Sequence, residues 1–285
     1  VTKSGTNDIH GTFFYLIRDD SLNAANSLTK AAGLAKPKDR RQQFGPSVGG
    51  AIKKDSLFYF LSYDQQKRAF PAVIVPGAES FLRSTGTAAG FANVLDFFRG
   101  LQGPQERAGN QWLGLARVDW NLNAANQLST TINILRWDSP NGIQTAPTHA
   151  NHATANGSDI VNNETVIARW NWTARPNIVS EFRFQWGRDF EAQQPNAPGP
   201  NVRVTNGIFF GRPNFLPRPA YPDERRWQIS QNLSWLRGRH SFRFGYDVNW
   251  VKDEIINLFN GDGTYNYSTL NDLALDCRNI SLPLG

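Results

Sequence analysis

Two histidines have the residue types and the spacing that metal binding needs. His149 and His152 form an H-x-x-H pair, which could hold a metal ion if a helix aimed both rings together. The neighbouring residues are rich in Asn, Ala and Gly and disfavour a stable helix, and no Cys or carboxylate is adjacent. We therefore expect no metal site and place this pair in a loop.

A second group combines carboxylates with arginines at strand spacing. Its members are Arg117, Asp119, Glu181, Arg183, Asp189, Arg243 and Asp247. Paired carboxylates can act as general acid and base, but each of these residues falls on the polar side of an alternating segment. Ion pairs facing the lumen of a membrane barrel explain the pattern better than catalysis does. With no G-x-S-x-G motif and no phosphate-binding glycine loop, we expect neither an enzyme nor a cofactor.

The segments that must position these residues alternate apolar and polar side chains with a period of two. In Arg239–Asp253 this alternation puts Phe244 and Val248 on one face and Arg243 and Asp247 on the other. Strands are predicted at Gly11–Arg18, Phe44–Ile52, Leu57–Gln66, Gln111–Leu122, Leu128–Arg136, Thr165–Ala174, Ile178–Phe190, Trp227–Trp235 and Arg239–Asp253, with a tenth around Thr264–Ser268. Gly11–Arg18 is apolar on both faces. Trp137 lies on the face opposite Ile132 and Ile134, which a β-bulge could explain.

The connections between these strands alternate between long and short. The long ones are Asp19–Gln43, Lys67–Asn110, Asp138–Glu164 and Glu191–Arg226, and the short ones are Lys53–Ser56, Asn123–Gln127, Arg175–Asn177 and Leu236–His240. Long loops on one side and tight turns on the other are typical of an outer-membrane barrel, whereas unstructured loops this long count against a compact soluble domain. We therefore predict an all-β fold, an antiparallel up-and-down transmembrane β-barrel. The long loops are expected to be extracellular and the short turns periplasmic.

The tryptophans indicate where such a barrel would meet the membrane surfaces. Seven are expected in interfacial belts at the two ends of the strands: Trp112, Trp120, Trp172, Trp186, Trp227, Trp235 and Trp250. The eight-residue step from Trp112 to Trp120, repeated from Trp227 to Trp235, spans roughly 20 Å of membrane normal when the strand is tilted. The alternative is a soluble Trp-rich β protein that binds carbohydrate or serves as a structural subunit.

Composition limits the remaining classes of function. The formal net charge is +6, but the basic residues are scattered, so we expect no nucleic-acid partner. No apolar run reaches the roughly 18 to 20 residues of a membrane helix. The sequence contains no Met and does not open with a signal peptide, which suggests a processed chain or a piece of a longer one.

The first 70 residues resemble a known family. Val1-Thr-Lys-Ser-Gly-Thr-Asn7, His10-Gly11 and the aromatic strand ending in Arg18-Asp19 resemble the plug-to-barrel junction of TonB-dependent outer-membrane receptors. Asn23-Ala-Ala-Asn26, Gln43-Phe-Gly45 and Ile52-Lys-Lys-Asp55 are similar to the Oar-like group of that family, as is Gly238-Arg-His240 later in the chain.

This resemblance implies that residues 1–10 end a plug and that residues 11–285 begin a barrel of about 22 strands. Such a receptor takes up a substrate too large for porins. Its partners would be the lipid bilayer, the missing plug and remaining strands, and a periplasmic TonB-type transducer acting through the plug. With nine or ten strands, we expect a fragment of the barrel. The alternative is a small closed barrel in which Gly11–Arg18 pairs with Thr264–Ser268.

Overall fold

The computed structural model describes residues 3–25, 27, 30, 35–36, 38–78, 92–143, 146, 148–212, 220–258 and 261–281. Nine long strands dominate it: β1 (His10–Arg18), β2 (Arg40–Lys53), β3 (Leu57–Ala69), β6 (Ala108–Asn123), β7 (Asn126–Ser139), β9 (Gly157–Arg175), β10 (Ile178–Pro195), β13 (Ala220–Arg237) and β14 (His240–Asn257). Between and after them lie short elements: β4 (Ala72–Ile74), α1 (Ala92–Gly100), β5 (Gly103–Gln105), β8 (Thr148–His149), β11 (Asn201–Val204), β12 (Phe210–Gly211), β15 (Thr264–Tyr267) and α2 (Leu270–Ser281).

The nine long strands form one antiparallel sheet, in the order β1-β2-β3-β6-β7-β9-β10-β13-β14. Each inner strand therefore pairs with the long strand before it and the long strand after it, which is the up-and-down connection that the sequence predicts. All nine predicted strands are confirmed. Most extend past their predicted ends on the side of the long connections. The short turns also form, and they use residues that tolerate a positive φ, such as Asp55 (61°) and Gly238 (58°).

No β-bulge occurs at Trp137. Pairing with β6 and β9 continues without a shift through Trp137, which lies opposite Gln111 and Val161. Trp137 therefore lies on the face opposite Ile132 and Ile134. Its ring covers Gly109, where an added Cβ would come within 2.4 Å of the indole, and its Nε1 donates to Asp159 at 3.1 Å.

The tenth predicted strand forms, but not where a closed barrel needs it. Thr264–Tyr267 pairs in parallel with Asn201–Val204, inside a separate three-stranded sheet. The alternative in which it pairs with Gly11–Arg18 is therefore wrong. Within the described residues, β1 and β14 each pair along one edge, so the nine-stranded sheet is not closed.

The buried core lies in the long connections and in the segment after β14, not in the nine-stranded sheet. Ile74, Phe98, Val204, Ile208, Leu270 and Leu273 form one hydrophobic cluster. We call this cluster the loop core. The long connections are therefore packed against one another, contrary to the unstructured loops expected from the sequence. A sheet one layer thick cannot cover itself, whereas the connections fold against one another and exclude water.

The described helices include none that is long and apolar enough to cross a membrane.

Candidate functional site: the two faces of the sheet

The strand register brings the predicted charged residues onto one face. Residues paired directly across antiparallel strands share a face. One row of such pairs runs across six strands through Asp119, Ser129, Arg169, Arg183, Ser230 and Asp247. The other candidates lie an even number of residues away on the same strands: Arg117 from Asp119, Glu181 and Asp189 from Arg183, and Arg243 from Asp247. All seven therefore share what we call the polar face.

Several of these charges are paired within the polar face. Arg117 donates two hydrogen bonds to the carboxylate of Asp119, at 2.7 and 2.8 Å. Arg183 and Glu181 form an ion pair at 2.5 Å. Asp189 lines a polar recess of about 240 Å³ with Gln185 and Arg226 among its neighbours. Such pairing offsets part of the cost of removing each charge from water.

Asp247 and Arg243 differ in their contacts. Asp247 accepts two hydrogen bonds from Gln228 Nε2, both at 2.9 Å, across the β13–β14 ladder. Arg243 lies nearer the short turn on the edge strand β14, where it is exposed. The polar face of β14 is therefore open along the edge that lacks a neighbour.

The seven predicted tryptophans all lie on the opposite face, which we call the apolar face. At the end near the long connections, Trp186, Trp227 and Trp250 are direct cross-strand neighbours, and the last two rings are 5.6 Å apart. Near the short turns, Trp235 packs on Phe242 at 5.4 Å. The remaining members of the two rows are Trp112 near the long connections and Trp120 and Trp172 near the short turns.

Beyond the tryptophans nearest the long connections, the apolar face becomes charged. Arg188 pairs with Asp223 at 2.8 Å, and Arg136, which lies directly across from Trp112, pairs with Glu164. Lys252 and Glu254 pair at 2.6 Å on the edge strand. Charges of this density are costly in hydrocarbon, so within the described strands it is the section between the two tryptophan rows that suits lipid. The sequence did not predict the strand extensions, because both faces of the extended segments are polar and the alternation disappears.

The segment before β1 lies against the polar face at the end with the short turns. Ser4 Oγ donates to Asp119 at 2.5 Å, and Asn7 Nδ2 donates to Asp55 at 2.6 Å. Gly5 lies so close to the strands that an added Cβ would be 2.3 Å from the Tyr59 carbonyl oxygen. This contact was not predicted, and its one local sequence signal is a glycine where the chain must approach another backbone.

The two histidines of the H-x-x-H pair do not share a helix. His149 lies in β8 and its Nδ1 accepts from the Asn151 N–H at 3.2 Å. Burial, and secondarily the Arg107 guanidinium, lower the pKa of His149 to about 4. His152 caps a 3₁₀ turn, where its Nδ1 accepts from the Thr154 N–H, and burial lowers its pKa. Each ring thus bonds to its own local backbone, and the described residues hold no cluster of metal-ligating side chains.

The comparison with protein families agrees with this two-faced sheet. A family model described as an outer membrane beta barrel domain matches residues 1–80 and 74–276. The chain belongs to this family. It therefore lies in the outer membrane, and the nine-stranded sheet is part of a barrel wall. The soluble alternative is wrong.

One solved structure gives an independent view of the fold. The outer membrane transporter YddB from Escherichia coli is similar, with a TM-score of 0.56 and 9% sequence identity over 88% of this chain. At that identity the likeness concerns the fold alone. The match covers 31% of YddB, so this chain spans about a third of that protein's length. No curated protein matches the sequence.

Proposed function

We propose that this chain is part of the barrel of a TonB-dependent receptor, which takes up a substrate too large for porins. The observation that carries the proposal is the division of the wall into two faces. The apolar face between the tryptophan rows meets lipid, and the polar face, with Arg117, Asp119, Arg183 and Asp247, lines the lumen. Unlike the apolar face, the polar face can solvate a hydrophilic solute.

The contacts of the N-terminal segment favour a plugged barrel and not an open pore. Ser4 and Asn7 hold residues 3–9 against the lumen side, at the end with the short turns. A chain preceding residue 3 would thus be led into the barrel from the periplasmic end. The motifs shared with the Oar-like group point to a plug there, and through it to a TonB-type transducer.

Conductance in planar lipid bilayers tests the plug. The complete polypeptide should insert and conduct little, because the plug occupies the lumen. A matched variant lacking the region before residue 3 should insert equally well and form a large, continuously open pore. Equal and large conductance of the two proteins would show that the complete polypeptide is an open pore, contrary to the proposal.

Energised uptake needs its own test. Cells that carry the complete receptor should accumulate the substrate, and loss of the transducer should abolish accumulation as fully as loss of the receptor. Uptake that persists without the transducer would contradict TonB dependence and leave a passive barrel.

Protease accessibility tests the orientation. Protease added to intact cells should cut within Lys67–Asn110 or Glu191–Arg226, because the long connections are proposed to be extracellular. In cells with a permeabilised outer membrane, the turns at Arg175–Asn177 and Leu236–His240 should become accessible too. Cleavage of intact cells confined to those two turns would invert the orientation.

A further inference from the structure

Three arginines lie directly beside one another on the polar face, at the end of the wall near the long connections. Arg18 of β1 pairs with Arg41 of β2, and Arg41 pairs with Arg68 of β3. Direct cross-strand neighbours have Cβ atoms about 4.5–5.5 Å apart. We call these three residues the arginine row. Like charges in such positions repel and destabilise a sheet unless an opposite charge lies between them.

A fourth arginine, Arg107, lies close to the arginine row. Arg68 and Arg107 both lie over the ring of Phe70, with guanidinium carbons 4.1 and 4.8 Å from its centroid. Arg107 also donates from Nε to the Phe70 carbonyl oxygen at 2.9 Å. Burial first, and the charge of Arg68 second, lower the pKa of Arg107 to about 10. The Phe70 ring thus holds two cations close together in a partly dry setting.

The carboxylate described next to the row does not neutralise it. Asp39 Oδ1 is 3.9 Å from Arg41 Nε, beyond hydrogen-bond distance, and neither atom has a hydrogen-bond partner among the described residues. Arg68 Nε is likewise buried without one. Asp64, which lies further down the same face, is bonded to Gln43 Nε2 at 2.9 and 3.1 Å. Arg41 and Arg68 therefore each retain a buried donor that no described residue uses.

We propose that the arginine row binds an anionic solute, one that carries carboxylate or phosphate groups. Guanidinium groups match the planar, bidentate geometry of these anions and are weakly hydrated, so they suit a partly dry site. The inference rests on the proposed function in one respect, since a solute reaches the row only if the polar face lines the lumen. It adds the charge of the substrate, which the two-faced wall does not specify.

The position of the row favours a solute over an acidic part of the plug. The segment before β1 contacts Asp119, which pairs with Phe58 at the opposite end of β3. Arg68 lies ten residues further along that strand, or roughly 33 Å. The row is therefore at the mouth formed by the long connections, where a solute from outside arrives first.

Two neighbouring cations provide matched controls. Arg40 and Lys67 immediately precede Arg41 and Arg68 in sequence, so alternation puts them on the apolar face. The substitutions Arg40→Gln and Lys67→Gln remove the same charge from the same strands as Arg41→Gln and Arg68→Gln, but from the other side of the wall. A general effect of net charge would appear in all four variants.

Calorimetric titration of the complete receptor in detergent, with pyrophosphate and citrate as probes, tests the proposal. The unmodified receptor should bind at least one probe, more weakly as salt increases. Arg41→Gln and Arg68→Gln should each weaken binding about tenfold or more, as expected for a charge-assisted hydrogen bond. Arg40→Gln and Lys67→Gln should stay within about twofold of the unmodified receptor, which is the range of a screened surface charge.

The unfolding temperature provides a second measurement, which can also be made on a variant that no longer binds the probes. Without anion, Arg68→Gln should unfold at the same or a higher temperature than the unmodified receptor, because it relieves repulsion. Added anion should raise the unfolding temperature of the unmodified receptor and not that of the variant.

Two outcomes would overturn the inference: absence of probe binding in the complete receptor, or equal losses of binding in the polar-face and apolar-face variants. If the probes bind only after the plug region has been removed, the plug occupies the arginine row and the solute proposal is wrong. Since this assay measures binding without transport, anion binding by a receptor that fails the uptake test would refute the proposed function and leave the inference standing.

Discussion

Consecutive residues of β14 meet different surroundings because their side chains point to opposite faces of the wall. Phe244 pairs with Leu233 on the apolar face, and Arg243 pairs with Ser234 on the polar face. Phe244→Arg would put a cation among apolar side chains in the section between the tryptophan rows. We expect it to cost roughly 2–4 kcal/mol of barrel stability if it lies near the bilayer midplane.

Arg243→Phe is the matched control, because it changes the neighbouring residue and the other face. It should cost less, since the polar face of β14 is open to water. Urea unfolding of the complete receptor in lipid vesicles measures both changes. Equal losses for the two variants would show that the alternation of β14 does not divide lipid from lumen.

The buried ring of His149 predicts a dependence of loop stability on pH. Its pKa is about 4 in the fold, below the ordinary value of 6.5. The fold therefore favours the neutral ring, and this contribution is fully present above about pH 6.5 and is lost as the pH falls towards 4. With a discount for partial exposure, the loss is on the order of 2 kcal/mol.

Hydrogen exchange at pH 7.5 and pH 5 measures this effect on the long connections. The amides around β4, β5 and β8 should exchange faster at pH 5 after correction for the intrinsic rate. His149→Gln should remove most of that difference. His152→Gln is the control, because burial lowers the pKa of that ring too, and it should leave most of the difference in place. A pH effect of full size in His149→Gln would assign the titration to another group.

At the scale of elements, the loop core joins three parts of the chain. Phe98 of α1 is fully buried there and makes an edge-to-face contact with Phe210 of β12, with ring centroids 5.8 Å apart. Phe98→Ala should therefore destabilise the packed loops by about 3–5 kcal/mol. The strands of the wall should be unaffected because their hydrogen bonds do not involve this core.

Phe97→Ala is the matched control for Phe98→Ala, because Phe97 is the adjacent residue and is about half exposed. Limited proteolysis should cleave the loops of Phe98→Ala much faster than those of Phe97→Ala. If both variants resist protease like the unmodified receptor, the loop core does not stabilise the connections.

At the scale of the whole molecule, the open edges of the wall require further strands. All residues of β1 and β14 are exposed, and within the described chain each strand pairs on one side alone. In hydrocarbon every unpaired backbone group costs several kcal/mol. We therefore expect both edges to pair with strands outside this sheet, from the same polypeptide or from a second chain.

This expectation can be checked by refolding residues 1–285 alone into lipid vesicles, beside the complete polypeptide. The complete protein should form a barrel that resists detergent and unfolds on heating, whereas the isolated piece should remain aggregated or degradable. A stable monomeric barrel built from residues 1–285 alone would show that the wall closes without other strands.

The sequence alone determines what depends on a single strand. Alternation along Arg239–Asp253 is a local property, so it separates Phe244 from Arg243 without knowledge of any neighbour. The same holds for the nine strands, their short turns and the two rows of tryptophans, all of which could be predicted. A strand's own period of two puts these side chains on a face whatever pairs beside it.

Tertiary structure decided everything that depends on which residues meet. Arg18, Arg41 and Arg68 lie far apart in sequence, and the register alone makes them neighbours on the polar face. The loop core likewise combines residues from separate connections, and Thr264–Tyr267 joined a small sheet instead of the wall. Register and loop packing are set by the combined burial and hydrogen bonding of distant segments, which no local pattern of residues specifies.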